Sequence, residues 1–226
     1  MRNMTCTNNI QIVYEDRDIL VINKPAGVLS ENSPKGEGGI LTLLINDERR
    51  ELHLLHRLDK EVGGVMVFGK NKKSASALSE AIAKKEFKKT YLAVTDGIPE
   101  MPSGIYKDML FKDSGKNKSF VVDRMRKGVR DASLEYSVLA TGDGKALVKV
   151  LLHTGRTHQI RVQFSSRKMP LTADRKYGSK EKNGGIALFS HEISFIHPSS
   201  KEVVTFSLLP DFSQYPWNLF GGVIIA

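Results

Sequence analysis

The run Ser133-Leu134-Glu135-Tyr136-Ser137-Val138-Leu139-Ala140, followed by Gly142-Asp143-Gly144 and then Lys145-Ala146-Leu147-Val148-Lys149-Val150-Leu151-Leu152, reads as two strands joined by a tight turn. Both halves alternate in the manner of pleated strands that bury one face. Gly142-Asp143-Gly144 between them supplies residues that accept positive φ, the requirement of a short hairpin turn. An antiparallel hairpin is therefore expected here.

The pattern extends outward in both directions. Thr157 is expected to cap a helix running to about Arg167, with Ile160 and Phe164 on its core face. Ile186–Ile196 and Val203–Leu208 form a second predicted hairpin around His197-Pro198-Ser199-Ser200, and Val223–Ala226 reads as a terminal strand or packed tail. Toward the N-terminus, Lys89–Val94 is a predicted strand ending at Asp96-Gly97. Asn71 is suited to cap a helix over Lys72–Lys85, with Ala75, Leu78 and Ile82 at helical spacing and lysines opposite. Ile10–Tyr14 and Ile19–Asn23 flank the charged turn Glu15-Asp16-Arg17-Asp18, and Lys24-Pro25-Ala26-Gly27 ends the second strand.

Between these, Ser33–Gly39 is expected to be a connector, Ile40–Asp47 a short helix, Leu54–Leu58 an apolar stretch and Val62–Phe68 a strand. Tyr106–Leu110 is a short predicted strand, and Lys112–Gly128 reads as polar, basic and turn-rich. Many hairpins among few helices argue for an α+β fold with a mixed, mostly antiparallel sheet rather than a doubly wound one.

Composition narrows the partners. The chain has 226 residues, with 34 Lys and Arg against 25 Asp and Glu, a net charge of +9. Its isoelectric point near 9.5 favours polyanions, of which nucleic acid is the commonest. Met1–Asn9 is polar and lacks the apolar core of a secretory signal. No run approaches the roughly 18 apolar residues of a membrane span, so a cytoplasmic protein without a membrane partner is expected. The single cysteine, Cys6, cannot form an internal disulfide, and its polar terminal setting argues against a thiol nucleophile.

Two segments carry chemistry. His56-Arg57-Leu58-Asp59-Lys60-Glu61-Val62-Gly63-Gly64 sets a carboxylate in a turn, beside an arginine and ahead of two glycines that allow close approach. An Asp in a turn is most often a turn residue and nothing more. Leu152-His153-Thr154-Gly155-Arg156-Thr157-His158-Gln159-Ile160-Arg161 leads from a strand through a glycine turn into a helix. Arg156 and Arg161 suit a phosphate or a buried carboxylate, although a solvated surface arginine is the commoner case. The i,i+5 spacing of His153 and His158, without a Cys or acidic cluster, gives no metal set. No Gly-x-Ser-x-Gly elbow points to a hydrolase.

Taken in order, Asn23-Lys24-Pro25-Ala26-Gly27, His56-Arg57-Leu58-Asp59, Lys89-Thr90-Tyr91-Leu92-Ala93, Gly155-Arg156-Thr157-His158-Gln159-Ile160-Arg161 and Ala187-Leu188 leading to Phe195-Ile196-His197-Pro198 resemble the RluA-type pseudouridine synthases from Ile10 to Leu208. The resemblance implies two lobes with flanking helices around a central RNA-binding cleft. It implies isomerisation of specific uridines in rRNA or tRNA to pseudouridine, without cofactor or metal. By the same resemblance Asp59 is the catalytic carboxylate. Arg57 fills the space left by a flipped nucleotide, Tyr91 stacks on the base, Arg161 pairs with the catalytic carboxylate, and Leu188 packs near the site.

This chain departs from the family pattern in three places. Val62-Gly63-Gly64 stands for the usual Thr-Ser-Gly, Ala173-Asp174 for Gly-Asp ahead of Tyr177-Gly178, and Leu188-Phe189-Ser190 for Leu-His-Ala. The missing hydroxyls leave a non-catalytic RNA-binding relative as the competing reading. Retention of Asp59, Tyr91 and Arg161 favours the enzyme, because a binder of anionic RNA has no need of a carboxylate. The lysine-rich face of the Lys72–Lys85 helix, extended by Lys88, is a candidate phosphate surface. Residues 1–226 are expected to be one catalytic domain without a separate N-terminal RNA-binding module, acting as a monomer.

Overall fold

The structure, a computed structural model, describes residues 6–7, 10–33, 36–45 and 51–225. The chain divides into two compact units, Met1–Lys89 with Ser190–Leu209 and Thr90–Phe189 with Pro210–Ala226.

The first unit begins with β1 (Cys6–Thr7), β2 (Ile10–Glu15) and β3 (Ile19–Lys24). The charged turn expected between β2 and β3 is present: Asp16 Oδ1 accepts the backbone N–H groups of Asp18 at 2.7 Å and Ile19 at 2.8 Å. Next come α1 (Ile40–Ile45), β4 (His53–Leu54), β5 (Gly63–Gly69) and α2 (Lys72–Ala83), with β11 (Leu188–Ile196) and β12 (Val203–Ser207) returning late in the chain. The strand order is β1-β2-β3-β5-β11, with β12 on β11 and β4 on β5. Ile19, Val21, Val65, Val67, Ile193 and Phe195 form one apolar face, against which α2 packs Leu78 and Ala81. Asn71 caps α2 as predicted, its side chain accepting the Ser74 N–H at 2.8 Å in a capping box.

Through β6 (Lys88–Asp96) the chain enters the second unit, which adds β7 (Ser103–Asp113), β8 (Lys118–Val122), β9 (Val129–Gly142), β10 (Lys145–Leu152) and α3 (Gln159–Ser165). Its order is β6-β10-β9-β7-β8, and the pairings β6–β10, β10–β9, β9–β7 and β7–β8 are all antiparallel. The hairpin that decided the fold class is β9–β10. Its two turn residues, Asp143 and Gly144, both have positive φ, 51° and 70°. Leu92, Val94 and Leu147 pack under Trp217 and Phe220, and Val223 and Ile225 join them as a packed tail.

Two expectations change. Lys112–Gly128 is not only turn: β8 pairs with β7 there, because Phe120, Val121 and Val122 supply β-prone residues that the flanking lysines obscured. The last helix starts at Gln159, not Thr157, and ends at Ser165. Its N-cap is His158, in the left-handed conformation at φ 53° without a side-chain cap. The Thr157 carbonyl is taken by Ser119 Oγ at 2.6 Å. The predicted helix over Ile40–Asp47 is present as α1, with residues 46 and 47 outside the described residues. Expectations for the polar N-terminal stretch and the Cys6 side chain also lie outside what is described.

Candidate functional site

Asp59 occupies a turn of the first unit in which each neighbour is tied down. Ahead of it, Leu58 is buried and exchanges two hydrogen bonds with Ser30: its N–H donates to Ser30 Oγ at 3.0 Å, and that hydroxyl donates to the Leu58 carbonyl at 2.8 Å. Behind it, the Lys60 carbonyl accepts the Gly27 N–H at 2.8 Å and Lys24 Nζ at 3.4 Å. Val62 N–H closes the turn on the Asp59 carbonyl at 3.0 Å.

Lys24 explains why the Lys-Pro-Ala-Gly segment accompanies this turn. The side chain is fully buried, and its ammonium also donates to the carbonyls of Pro25 at 2.9 Å and Val28 at 2.6 Å. Burial pushes its pKa down to about 8, opposed by the negative charges of Asp59 and Glu61. Gly27, at φ 89°, lets the chain turn back so that its N–H reaches Lys60.

His56 is buried and accepts the Val67 N–H through Nε2 at 3.3 Å, with its ring tilted on Phe87. Burial, assisted by the charge of Lys89, drives its pKa to about 3. It is therefore a neutral support for β5 rather than a proton carrier at neutral pH. Arg57 is exposed and ion-paired with Glu31, and Lys60 pairs with Glu37 at 2.5 Å. The predicted connector Ser33–Gly39 thus carries one acid to the Asp59 turn, and Glu31 just before it carries another. Val62 takes the position of a family hydroxyl and is buried, while Gly64 lies against the backbone of Ser190.

The second unit holds the other predicted residues. Tyr91 is buried on β6 opposite Val150 of β10. It points to the sheet face opposite Leu92, whose side chain joins the Trp217 cluster. Leu188 is buried at the start of β11. The preceding Ala187 is fixed through Val94 N–H to its carbonyl and its own N–H to Thr172, both at 3.0 Å. Arg161 lies within α3, 3% exposed, and grips Asp174 with two parallel bonds: Nε to Oδ2 at 2.7 Å and Nη2 to Oδ1 at 2.9 Å.

The Gly155–Arg161 motif is organised by Gln159. Its Oε1 accepts Thr154 Oγ1 at 2.7 Å and Arg156 N–H at 3.0 Å, while its Nε2 donates to the Ser133 carbonyl at 3.1 Å. Arg156 is exposed and donates from Nε to the Asp131 carbonyl at 2.9 Å. Arg57 and Asp59 therefore share one turn of the first unit, and Tyr91, Arg161 and Leu188 belong to the second. Lys24, Asp174 and Tyr177 were given no role from sequence. Lys24 stood in a quoted motif, but neither its burial nor the pairing of residues 161 and 174 is visible in spacing. Among the described residues, no cluster of His, Cys, Asp or Glu is arranged to hold a metal ion.

The family model described as RNA pseudouridylate synthase matches residues 18–166, a span that includes the Asp59 turn, Tyr91 and Arg161. The chain belongs to this family. An uncharacterized RNA pseudouridine synthase of Bacillus subtilis is 32% identical over 205 residues, covering 86% of this chain and 67% of that protein. Ribosomal large subunit pseudouridine synthase C of Buchnera aphidicola is 30% identical over 216 residues, covering 90% and 68%. The chain thus spans about two thirds of the length of these relatives. The solved structure of human RNA pseudouridylate synthase domain containing 4 matches with a TM-score of 0.73 at 25% identity, covering 89% of both chains. The family model and these relatives place the chain in the RluA-type pseudouridine synthase family, which isomerises uridine in RNA, and the α+β fold is the family's own. No described helix is long and apolar enough to cross a membrane.

Proposed function

We propose that this chain converts specific uridines of ribosomal or transfer RNA to pseudouridine, with the Asp59 carboxylate starting the reaction. The observation that supports this reading is the Asp59 turn itself, whose backbone is anchored on one side by Ser30 and on the other by Gly27 and Lys24. A reacting carboxylate needs a fixed position, and an ordinary surface turn does not need a buried lysine to hold it. The ribosomal relative from Buchnera favours ribosomal RNA within that choice.

The chemistry breaks the N1–C1′ bond, turns the uracil and joins C5 to C1′. The carboxylate either attacks C1′ or removes the C2′ proton to give a glycal, and a base then takes the C5 proton. The uridine must leave its stack, at a cost of a few kcal/mol. Tyr91 stacks on the base, a contact worth roughly 1–3 kcal/mol. Arg57 occupies the vacated space, Arg161 supplies positive charge for the catalytic carboxylate, and Leu188 packs beside the base. Substrate RNA is the only partner this chemistry requires, and the chain works in the cytoplasm as a monomer.

The test uses RNA from a strain lacking the protein, with pseudouridine mapped by carbodiimide-adduct stops. Wild type is expected to add a site that Asp59→Asn does not. RNA that is bound but never modified would instead support a non-catalytic RNA-binding protein.

A further inference from the structure

Arg161 is not merely buried; it is clamped from two directions. Both oxygens of Asp174, itself fully buried, receive its guanidinium in a bidentate fork. The ring of Tyr177 lies beneath the guanidinium carbon at 5.2 Å. Such a fork fixes the plane of the guanidinium as well as its place, which a lysine at the same position does not achieve.

The clamp is braced in turn. Tyr177 Oη accepts the Ser119 N–H at 2.8 Å and meets His158 Nδ1 at 2.9 Å. The Asp174 carbonyl accepts the N–H groups of Tyr177 at 3.0 Å and Ser179 at 3.1 Å, and Ser165 Oγ donates to the Tyr177 carbonyl at 2.6 Å. Residues 158 to 179 therefore form one hydrogen-bonded block around the arginine. A buried ion pair is seldom more stabilising than apolar side chains of the same volume. Its presence in the interior of the second unit calls for an explanation other than stability.

We propose that Asp174 and Tyr177 are positioning residues for uridine isomerisation, holding the Arg161 guanidinium in the one orientation the reaction uses. The proposal rests on the reading that Arg161 acts at the uridine site. Neither residue is expected to touch RNA, so their loss should slow the reaction without weakening binding.

The experiment first maps the modified uridine in RNA from the deletion strain, then uses a short transcript of that site labelled with tritium at uridine C5. Single-turnover tritium release and filter-binding affinity are compared for wild type, Asp174→Asn and Tyr177→Phe. Asp174→Asn is expected to slow release about a hundredfold, the scale of a misplaced group near the chemistry. Tyr177→Phe keeps the ring and removes only the hydroxyl contacts, and a smaller slowing of about tenfold is expected. In both, the dissociation constant for RNA should stay within a factor of about two. Tyr177→Phe releasing tritium at the wild-type rate overturns the proposal, whatever happens to Asp174→Asn. So does a loss of rate matched by an equal loss of affinity. If wild type modifies no RNA, the isomerase reading fails first and takes the proposal with it.

Discussion

Gly64 lies so close to Ser190 that a Cβ at position 64 would stand 2.2 Å from the Ser190 carbonyl oxygen. Its φ of 116° is also outside the range that side-chain-bearing residues adopt. The close approach lets Ser190 Oγ reach the Val65 carbonyl at 3.0 Å, joining β11 to the start of β5 just beyond the Asp59 turn. Gly64→Ala is expected to lose about 3 kcal/mol through overpacking and backbone strain together. Gly38→Ala, where a Cβ finds only Thr42 at 3.7 Å, should stay within about 0.5 kcal/mol of wild type. Urea denaturation of the three proteins checks both values, and equal midpoints for all three would refute the argument.

Lys24 makes an alkaline prediction. Its folded pKa of about 8 lies below the ordinary 10.5, so between those values the unfolded chain binds more protons than the folded one. Stability from this group therefore rises with pH across that window. Below pH 8 the lysine is charged in both states and the burial penalty is fully present. The gain is on the order of 3 kcal/mol at most. Unfolding free energies measured from pH 7 to 10 should climb relative to Lys24→Met, and parallel curves would show that the ammonium is not penalised.

His56 gives the opposite side of the pH range. With a folded pKa near 3 against the ordinary 6.5, the unfolded chain binds the extra proton between them. Stability from this group is complete above about 6.5 and is lost as pH falls toward 3. The loss should approach about 5 kcal/mol at the acid end. Replacing His56 by Gln, which retains an acceptor but does not titrate, should flatten the acid limb of the denaturation profile. An unchanged limb would assign acid sensitivity elsewhere.

Periodic elements were legible in advance because their signals are local. The β9–β10 turn follows from Gly142-Asp143-Gly144, and the start of α2 from Asn71, since each acts within a few residues of itself. The failures occurred where distant chain segments decide. His158 takes a left-handed conformation as the N-cap of α3, and its Nδ1 contacts Tyr177 Oη, nineteen residues on. β8 was hidden because its neighbours are basic, while its pairing partner β7 lies across a turn that composition alone made look continuous. The candidate site followed the same division. Asp59 and Arg161 were singled out as candidates from ordered motifs, whereas the burial of Lys24 and the fork between Arg161 and Asp174 exist only after folding.

Ala173 connects one of the sequence departures to a measurable strain. It is buried and has φ 64°, in the left-handed region where the family's usual glycine is at ease. An L-residue there carries about 1–2 kcal/mol of strain. Ala173→Gly should relieve it, less the entropy a glycine adds to the unfolded chain, for a net gain of about 1 kcal/mol. Thermal unfolding should show the midpoint moving up. A midpoint that falls would mean that the Ala173 methyl group contributes more by packing than its backbone costs.

The exposed lysines at the two ends of α2 supply the last test, one that separates RNA affinity from chemistry. Lys72, Lys73 and Lys85 all face solvent, and Lys84 does so while pairing with Glu80 at 2.7 Å. If phosphates of the substrate lie along this face, each contact releases counterions and steepens the salt dependence of binding. Replacing all four by Gln should then reduce the slope of log affinity against log salt by about 3 for single-stranded RNA. Exposed helix positions tolerate such changes, so folding should be nearly unaffected. The single-turnover rate at saturating protein should also hold, because none of the four belongs to the reacting group. A slope equal to that of wild type would remove this face from the RNA interface without bearing on the proposed role of Asp59.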